Sequence, residues 1–295
     1  MDLYLYIYDP EWDGIISDKE ITNKKDSIFF IGASNVYSID VEKISEELEM
    51  NQMEYEIYNL ADMSDTPTRR INTMMNLIEL EPKVIVYGIS MTDFEKSRDY
   101  RNEFFSKDAI ERVQEPDKFF QGFFSYLLNS DFSEKFPTSP KDRMIQSIKY
   151  ILRGPDYSSH PFINFNKNEI VSQDKIYEIY KKDMNFNGID TNSDNEEIIA
   201  VKKMIEMFQS KGIKVLIFTP PYNELFFENT TIEEIENFEK IIENISKISD
   251  VETLYLHDEL MKENIWKDPY HVAVNKDSRI YTDKIEDWLI TEIDE

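Results

Sequence analysis

Three side chains in this sequence are of the right types for acyl-transfer chemistry, and two of them stand three residues apart: Ser34, Asp268 and His271. Ser34 lies near the end of Ser27-Ile28-Phe29-Phe30-Ile31-Gly32-Ala33-Ser34-Asn35, where an apolar run breaks abruptly into Gly-Ala-Ser-Asn. The run reads as a buried strand. Val41, Ile44 and Leu48 behind it share one face of a helix, so the serine is expected in the tight turn between them. A serine there stands at the carboxyl end of a parallel strand, where open α/β sheets bind ligands. It would also lie beside a helix N-terminus, whose free N–H groups favour developing negative charge. That makes Ser34 a candidate nucleophile. Ser34 and Asn35 are equally good helix caps, and this stretch alone leaves both readings open.

Asp268 and His271 belong to Asp268-Pro269-Tyr270-His271, a loop just before the last helical pattern. The spacing lets a carboxylate orient an imidazole whose other nitrogen faces a nucleophile. An isolated D-x-x-H is also an ordinary turn leading into a helix, with a solvated histidine. The other two histidines, His160 and His257, read as packing or surface residues.

The elements that must position these groups follow in order. A helix runs to about Met50, a strand over Glu54 to Leu60, a helical stripe through Ile71, Met74, Met75 and Ile78, and a buried strand at residues 83–88. This β-α-β-α-β rhythm with short links implies parallel strands and right-handed crossovers. It is interrupted from Phe94 to about Asn195 by an aromatic-rich, largely helical insertion, then resumes. A helix at residues 196–211 carries Ile199, Met204, Ile205 and Phe208. A strand at 214–218, a helix at 232–248, a strand at 251–256 and a final helix at 278–293 complete the pattern. The expectation is a three-layer α/β/α fold, flavodoxin-like, with a parallel five-stranded sheet in order 2-1-3-4-5. It forms one domain over residues 1–295, with the 94–195 insertion over the carboxyl ends of the strands.

Composition narrows the partners. The chain carries a formal charge of −26, with 41% hydrophobic and 13% aromatic residues and no cysteine. That charge argues against nucleic acid and anionic membrane surfaces. The missing cysteines rule out disulfides and thiolate metal sites. No His/Asp/Glu cluster has ligand spacing, so neither metal nor cofactor is expected. No run reaches the roughly 18 apolar residues that span a membrane. Met1 to Asp13 is aromatic and acidic and lacks a basic n-region, so it reads as a strand or packed arm rather than a signal peptide. A chain trimmed of an upstream anchor would read the same.

Taken together, Ser34 in Gly-Ala-Ser-Asn after the first strand and Asp268-Pro269-Tyr270-His271 before the last helix resemble the SGNH (GDSL-like) hydrolase superfamily. The Thr219-Pro220-Pro221-Tyr222-Asn223 end of the fourth strand is similar to members of that group. The resemblance covers residues 27–94 and 196–293. It implies a Ser34–His271–Asp268 triad acting on an ester, with Asn35 and Tyr270 against the substrate. The oxyanion hole would use the Ser34 N–H and a backbone N–H near Ser64. In the family that second donor is usually a glycine, and a third is an asparagine after strand three. Here the loop offers Asp62, Met63 and Ser64, and strand three is followed by Ile89-Ser90-Met91-Thr92-Asp93. Ser90 or Thr92 would have to stand in, and Asp93 would repel an oxyanion.

These departures resemble the subset that includes the proteins of alginate O-acetylation and D-alanyl-teichoic acid synthesis. Those act outside the membrane on cell-surface polymers. The resemblance implies an esterase or O-acyltransferase for an acylated small molecule or glycan, with acetyl the expected acyl group. It also implies an extracytoplasmic or cell-surface location, with a cytoplasmic one left open. The acidic surface stands against a polyanionic partner. The competing expectation is a catalytically dead domain of the same fold that binds glycan or a protein. A flavodoxin-like phosphate binder is disfavoured, because no glycine-rich loop is present.

Overall fold

In the computed structural model, residues 27–61, 65–71, 74–96, 169–183, 186–192 and 194–294 are described. The expected N-terminal strand or arm and most of the insertion lie outside them. Five strands form one sheet: β1 (Ser27–Gly32), β2 (Glu56–Asn59), β3 (Val84–Gly88), β4 (Lys214–Thr219) and β5 (Glu252–Tyr255). The order is β2-β1-β3-β4-β5 and every pairing is parallel. Burial explains the order. All six residues of β1 and all five of β3 are buried, as expected of strands covered on both faces. β2 alternates and β5 is half-exposed, which suits the two edges.

Alternate residues of each central strand feed opposite layers. Ile28, Phe30, Val84, Val86, Leu216 and Phe218 pack with Val41, Ile44 and Leu48 of α1 (Val41–Met50). Ile285 and Leu289 of a later helix join the same layer. Phe29, Ile31, Ile85, Tyr87, Val215 and Ile217 pack on the other side, against side chains from residues 74–80, 198–208 and 238–245. The three-layer α/β/α expectation is met. From β1 the chain goes to β2 on one side and then returns past β1 to β3. The carboxyl ends of β1 and β3 therefore flank the point where strand order reverses, the usual ligand position in such sheets.

Two details depart from the sequence reading. The stripe over residues 68–80 is two helices, α2 (Pro67–Arg70) and α3 (Met74–Glu79), and Met75 is exposed. In α5 (Glu196–Ser210) the core residue is Ile198, and Ile199 is exposed. Both shifts are errors of helical phase, since one residue turns a side chain by about 100°. The insertion has one described helix, α4 (Gln173–Asp183), which sends Ile176 into the α1 layer. Its two ends meet: Lys96 N–H donates to Gly188 C=O at 2.9 Å, and Asp190 N–H donates to Phe94 C=O at 2.7 Å. The excursion therefore leaves and returns beside the end of β3.

The loop after β2 is fixed by buried polar groups. Arg70 Nε donates to Asp65 Oδ2 at 2.6 Å, and Arg70 also donates to Leu60 C=O. Their side chains are only 3% and 4% exposed. The Glu197 carboxylate of α5 accepts both the N–H and the hydroxyl of Thr68 at 2.8 Å. Removing one member of a buried ion pair costs about 3–5 kcal/mol. Asp65→Ala should therefore lower the urea unfolding free energy by about that amount, and a loss below about 1 kcal/mol would contradict the role assigned to the pair.

The remaining α-helices among the described residues are α6 (Glu224–Phe227), α7 (Ile232–Ser249) and α8 (Ile280–Asp294). None of the described helices is long and apolar enough to cross a membrane.

Candidate active site

Ser34 opens a single 3-10 turn, Ser34–Val36, closed by Val36 N–H to Ala33 C=O at 2.9 Å. The turn follows Gly32, whose φ of +138° is open to glycine and strained for other residues. Gly32 pairs with Gly88 of β3. A Cβ on Gly32 would lie 2.5 Å from the Gly88 carbonyl oxygen, and one on Gly88 would lie 2.5 Å from Val36 Cγ2. The two glycines thus clear the space into which Val36 folds, which sets the serine at the end of the sheet. α1 does not begin at Ser34, as the sequence suggested. It begins at Val41, capped by the Asp40 carboxylate accepting Lys43 N–H. Neither Ser34 nor Asn35 caps it, because four residues (37–40) separate the turn from the helix. The expected helix N-terminus behind the serine is replaced by this short turn.

The histidine arrives on the loop between β5 and α8. That loop is pinched at its base by the Trp266–Val272 bridge and by Ala273 N–H to Ile265 C=O at 2.7 Å. Within it, Asp268 Oδ1 accepts the backbone N–H of Tyr270 at 2.8 Å and of His271 at 2.9 Å. His271 Nδ1 lies 2.8 and 2.9 Å from the two Asp268 oxygens. His271 Nε2 lies 2.7 Å from Ser34 Oγ. An ionised carboxylate only accepts, so Nδ1 carries the proton. In the neutral imidazole Nε2 is then left with its lone pair toward the serine hydroxyl. Burial pushes the Asp268 carboxyl upward, but His271 and the two backbone N–H groups outweigh it, and the net shift is below the ordinary carboxylate range.

That sign fixes a pH prediction. A carboxyl depressed on folding adds stability that is fully present above its unfolded value, about 3.9, and is lost as pH falls through the folded value. The urea unfolding free energies of wild type and Asp268→Asn should therefore converge as pH drops below about 4. A difference that does not change with pH would contradict this.

The remaining expected site residues divide. Asn35 is buried and donates through Nδ2 to Tyr270 C=O at 2.9 Å, so it ties the serine turn to the histidine loop. Tyr270 is half-buried, in edge contact with Tyr222 and Phe226. Burial, with Glu95 and Asp268 nearby, pushes its hydroxyl up to about 12. Ser90 is buried. Its hydroxyl lies 3.0 Å from that of Thr92, and Thr92 N–H reaches the Tyr222 hydroxyl at 3.5 Å. Asp93, expected to repel an oxyanion, is turned away into a capping box, where its carboxylate accepts Ser90 N–H at 2.8 Å. Ser64 lies outside the described residues, as does His160.

His257 is buried, with Nδ1 3.1 Å from Thr219 Oγ1 and Nε2 3.2 Å from Glu239. That fits the packing role read for it. Thr219 Oγ1 already accepts the N–H groups of Leu256 and His257, so its own proton points to Nδ1. Among the described residues no cluster of three His, Cys, Asp or Glu could hold a metal ion. The close approach at Gly88 and the hydrogen bond from Asn35 to Tyr270 went unread in the sequence. A glycine ending each of the two neighbouring apolar strands was the available signal for the first.

No family model matches the chain, and no curated protein matches it. Among solved structures it is similar to TesA, at 11% identity and a TM-score of 0.46 over 89% of this chain and 97% of that one. It is similar to the psychrotrophic esterase EstA from Pseudoalteromonas sp., at 9% identity and 0.44 over 92% and 100%. A GDSL-like lipase from Bacteroides thetaiotaomicron gives 11% identity and 0.44 over 97% and 98%. These likenesses assign no activity to this chain. The observed sheet order and layers are those of a flavodoxin-like three-layer α/β/α fold.

Proposed function

We propose that this protein is a serine esterase or O-acyltransferase acting on an acylated small molecule or glycan, with acetyl as the acyl group. The observation that carries this reading is the continuous hydrogen-bonded chain Ser34 Oγ–His271–Asp268, with both links under 3 Å. Ser34 is partly exposed at the switch point of the sheet, where an acyl carbonyl can approach it. Ser34 Oγ attacks that carbonyl as its proton passes to His271 Nε2. Asp268 holds the imidazole in the required tautomer and stabilises the imidazolium. Collapse of the tetrahedral intermediate breaks the ester C–O bond, and the leaving alcohol takes the proton from His271. An acyl-Ser34 remains. Water, or a sugar hydroxyl in a transferase, then attacks it, gives its proton to His271 and restores Ser34.

The Ser34 backbone N–H is the first oxyanion donor. The acidic chain favours neutral or cationic substrates over anionic ones. Residues 1–295 act as one domain. Phe186, at the returning end of the insertion, packs against Phe226 with ring centroids 5.2 Å apart, and Phe226 in turn meets Tyr270.

The binding-domain reading draws on one observation. The Ser90 and Thr92 hydroxyls bond to each other and lie against Tyr222 rather than standing free as donors. The two readings separate on turnover. Wild-type protein should release 4-nitrophenol catalytically from its acetyl ester, and one equivalent of a serine-directed phosphonate should stop it. No release above the uncatalysed rate, and no phosphonate uptake, would overturn the enzyme reading in favour of binding.

A further inference from the structure

The hydrogen bond from Asn35 reaches a particular peptide group. Its acceptor, the Tyr270 carbonyl, and the His271 N–H belong to the same planar unit. That N–H donates to Asp268 Oδ1 at 2.9 Å, while the carbonyl accepts Asn35 Nδ2 at 2.9 Å. The peptide that precedes the histidine is therefore held at both ends. Only an N–H group of the amide can face a carbonyl oxygen, which fixes the orientation of the Asn35 side chain. Asn35 follows Ser34 directly in the same 3-10 turn and is 6% exposed. Its own carbonyl accepts the buried Tyr281 hydroxyl at 3.4 Å, so the turn is also anchored to α8. A closed ring results: Ser34 to Asn35 through the chain, Asn35 to Tyr270 by hydrogen bond, Tyr270 to His271 through the chain, and His271 back to Ser34 at 2.7 Å.

We infer that Asn35 is a positioning residue that sets the Ser34–His271 distance by gripping the Tyr270–His271 peptide. The inference rests on the serine-esterase reading for its kinetic consequence, though not for its structural one. The two loops meet across 235 residues of sequence, and without the clamp the histidine loop can slide along the serine turn. A misplacement of about 1 Å costs on the order of 100-fold in rate. Binding of a small ester does not depend on this distance, so kcat should fall while KM holds.

The test compares Asn35→Asp, which cannot donate when ionised, with Asn35→Gln, which keeps the donor. Asn35→Asp should lose about 100-fold in kcat on 4-nitrophenyl acetate with KM changed less than about threefold, and Asn35→Gln should retain more of the rate. Hydrogen exchange supplies a second readout. The His271 amide should exchange faster in Asn35→Asp, while the amides of β1 and β3 stay as protected as in wild type. If Asn35→Asp does not fold, Asn35→Ala takes its place, removing the donor without adding charge. Unchanged kcat and unchanged His271 exchange in a folded variant would overturn the clamp. So would equal impairment of Asn35→Gln and the donor-lacking variant, or a loss of protection spread evenly over β1 and β3. A wild type without turnover would count against the esterase reading alone. The clamp would then stand or fall on the His271 amide.

Discussion

Ser34→Ala should lower kcat on an activated acetyl ester by about 10⁴- to 10⁶-fold, the range seen when a nucleophile is removed from a working triad. The substitution takes away the atom 2.7 Å from His271 Nε2 and little else, since the turn is held by its backbone and by Val36. His271→Ala should lose as much, because members of such a unit do not act independently. Asp268→Asn should cost about 10⁴-fold. An amide there presents either an N–H or an oxygen to Nδ1, and with the N–H facing, the imidazole proton is driven to Nε2, the wrong side for taking a proton from Ser34. The check is steady-state kinetics of the purified variants. A Ser34→Ala protein that keeps more than about a tenth of the wild-type rate would remove Ser34 from the mechanism.

Gly32→Ala should be among the most damaging single-methyl additions to the fold. The backbone at φ +138° is strained for any L side chain, at about 1–3 kcal/mol. The new Cβ would lie 2.5 Å from the Gly88 carbonyl oxygen, a backbone atom within the same sheet. Overpacking of that kind adds about 1–3 kcal/mol. The expected loss in urea unfolding free energy is therefore about 2–6 kcal/mol. Gly88→Ala should cost less, because its new Cβ would meet the side chains of Val36 and Phe218, which can give. It should still impair turnover, since Val36 belongs to the serine turn. A Gly32→Ala protein within about 0.5 kcal/mol of wild type would contradict the close approach of the two strands.

The sheet was legible in the sequence because its central strands are continuous apolar runs. Ile28–Ile31, Val84–Tyr87 and Val215–Phe218 are covered on both faces, so nothing polar interrupts them. The edge strands were read too long by one or two residues at each end, since half-exposed ends carry no sharp signal. Ser34, Asp268 and His271 were legible because each stands at a sharp change of pattern. Their meeting depends on the order of β1, β3, β4 and β5, which the alternating helices imply. The bond from Asn35 to Tyr270 was not legible, because a polar residue beside a nucleophile reads the same whether or not it meets a carbonyl 235 residues away. The Asp40 cap was missed for a related reason. A 3-10 turn followed by four irregular residues has no periodicity, so the helix seemed to start at the serine. The Asp65–Arg70 pair was invisible because buried and solvated charges are identical as letters.

The central claim is that Ser34 carries the acyl group during turnover. The most direct measurement is mass spectrometry of the protein quenched in acid during reaction with 4-nitrophenyl acetate, followed by digestion and mapping. The account predicts one acetyl group on the peptide containing Ser34 in the wild type, accumulating as 4-nitrophenol is released and absent from Ser34→Ala. Steady turnover with the acetyl group on another residue, or with Ser34 unmodified at every time point while Ser34→Ala keeps the wild-type rate, would contradict it.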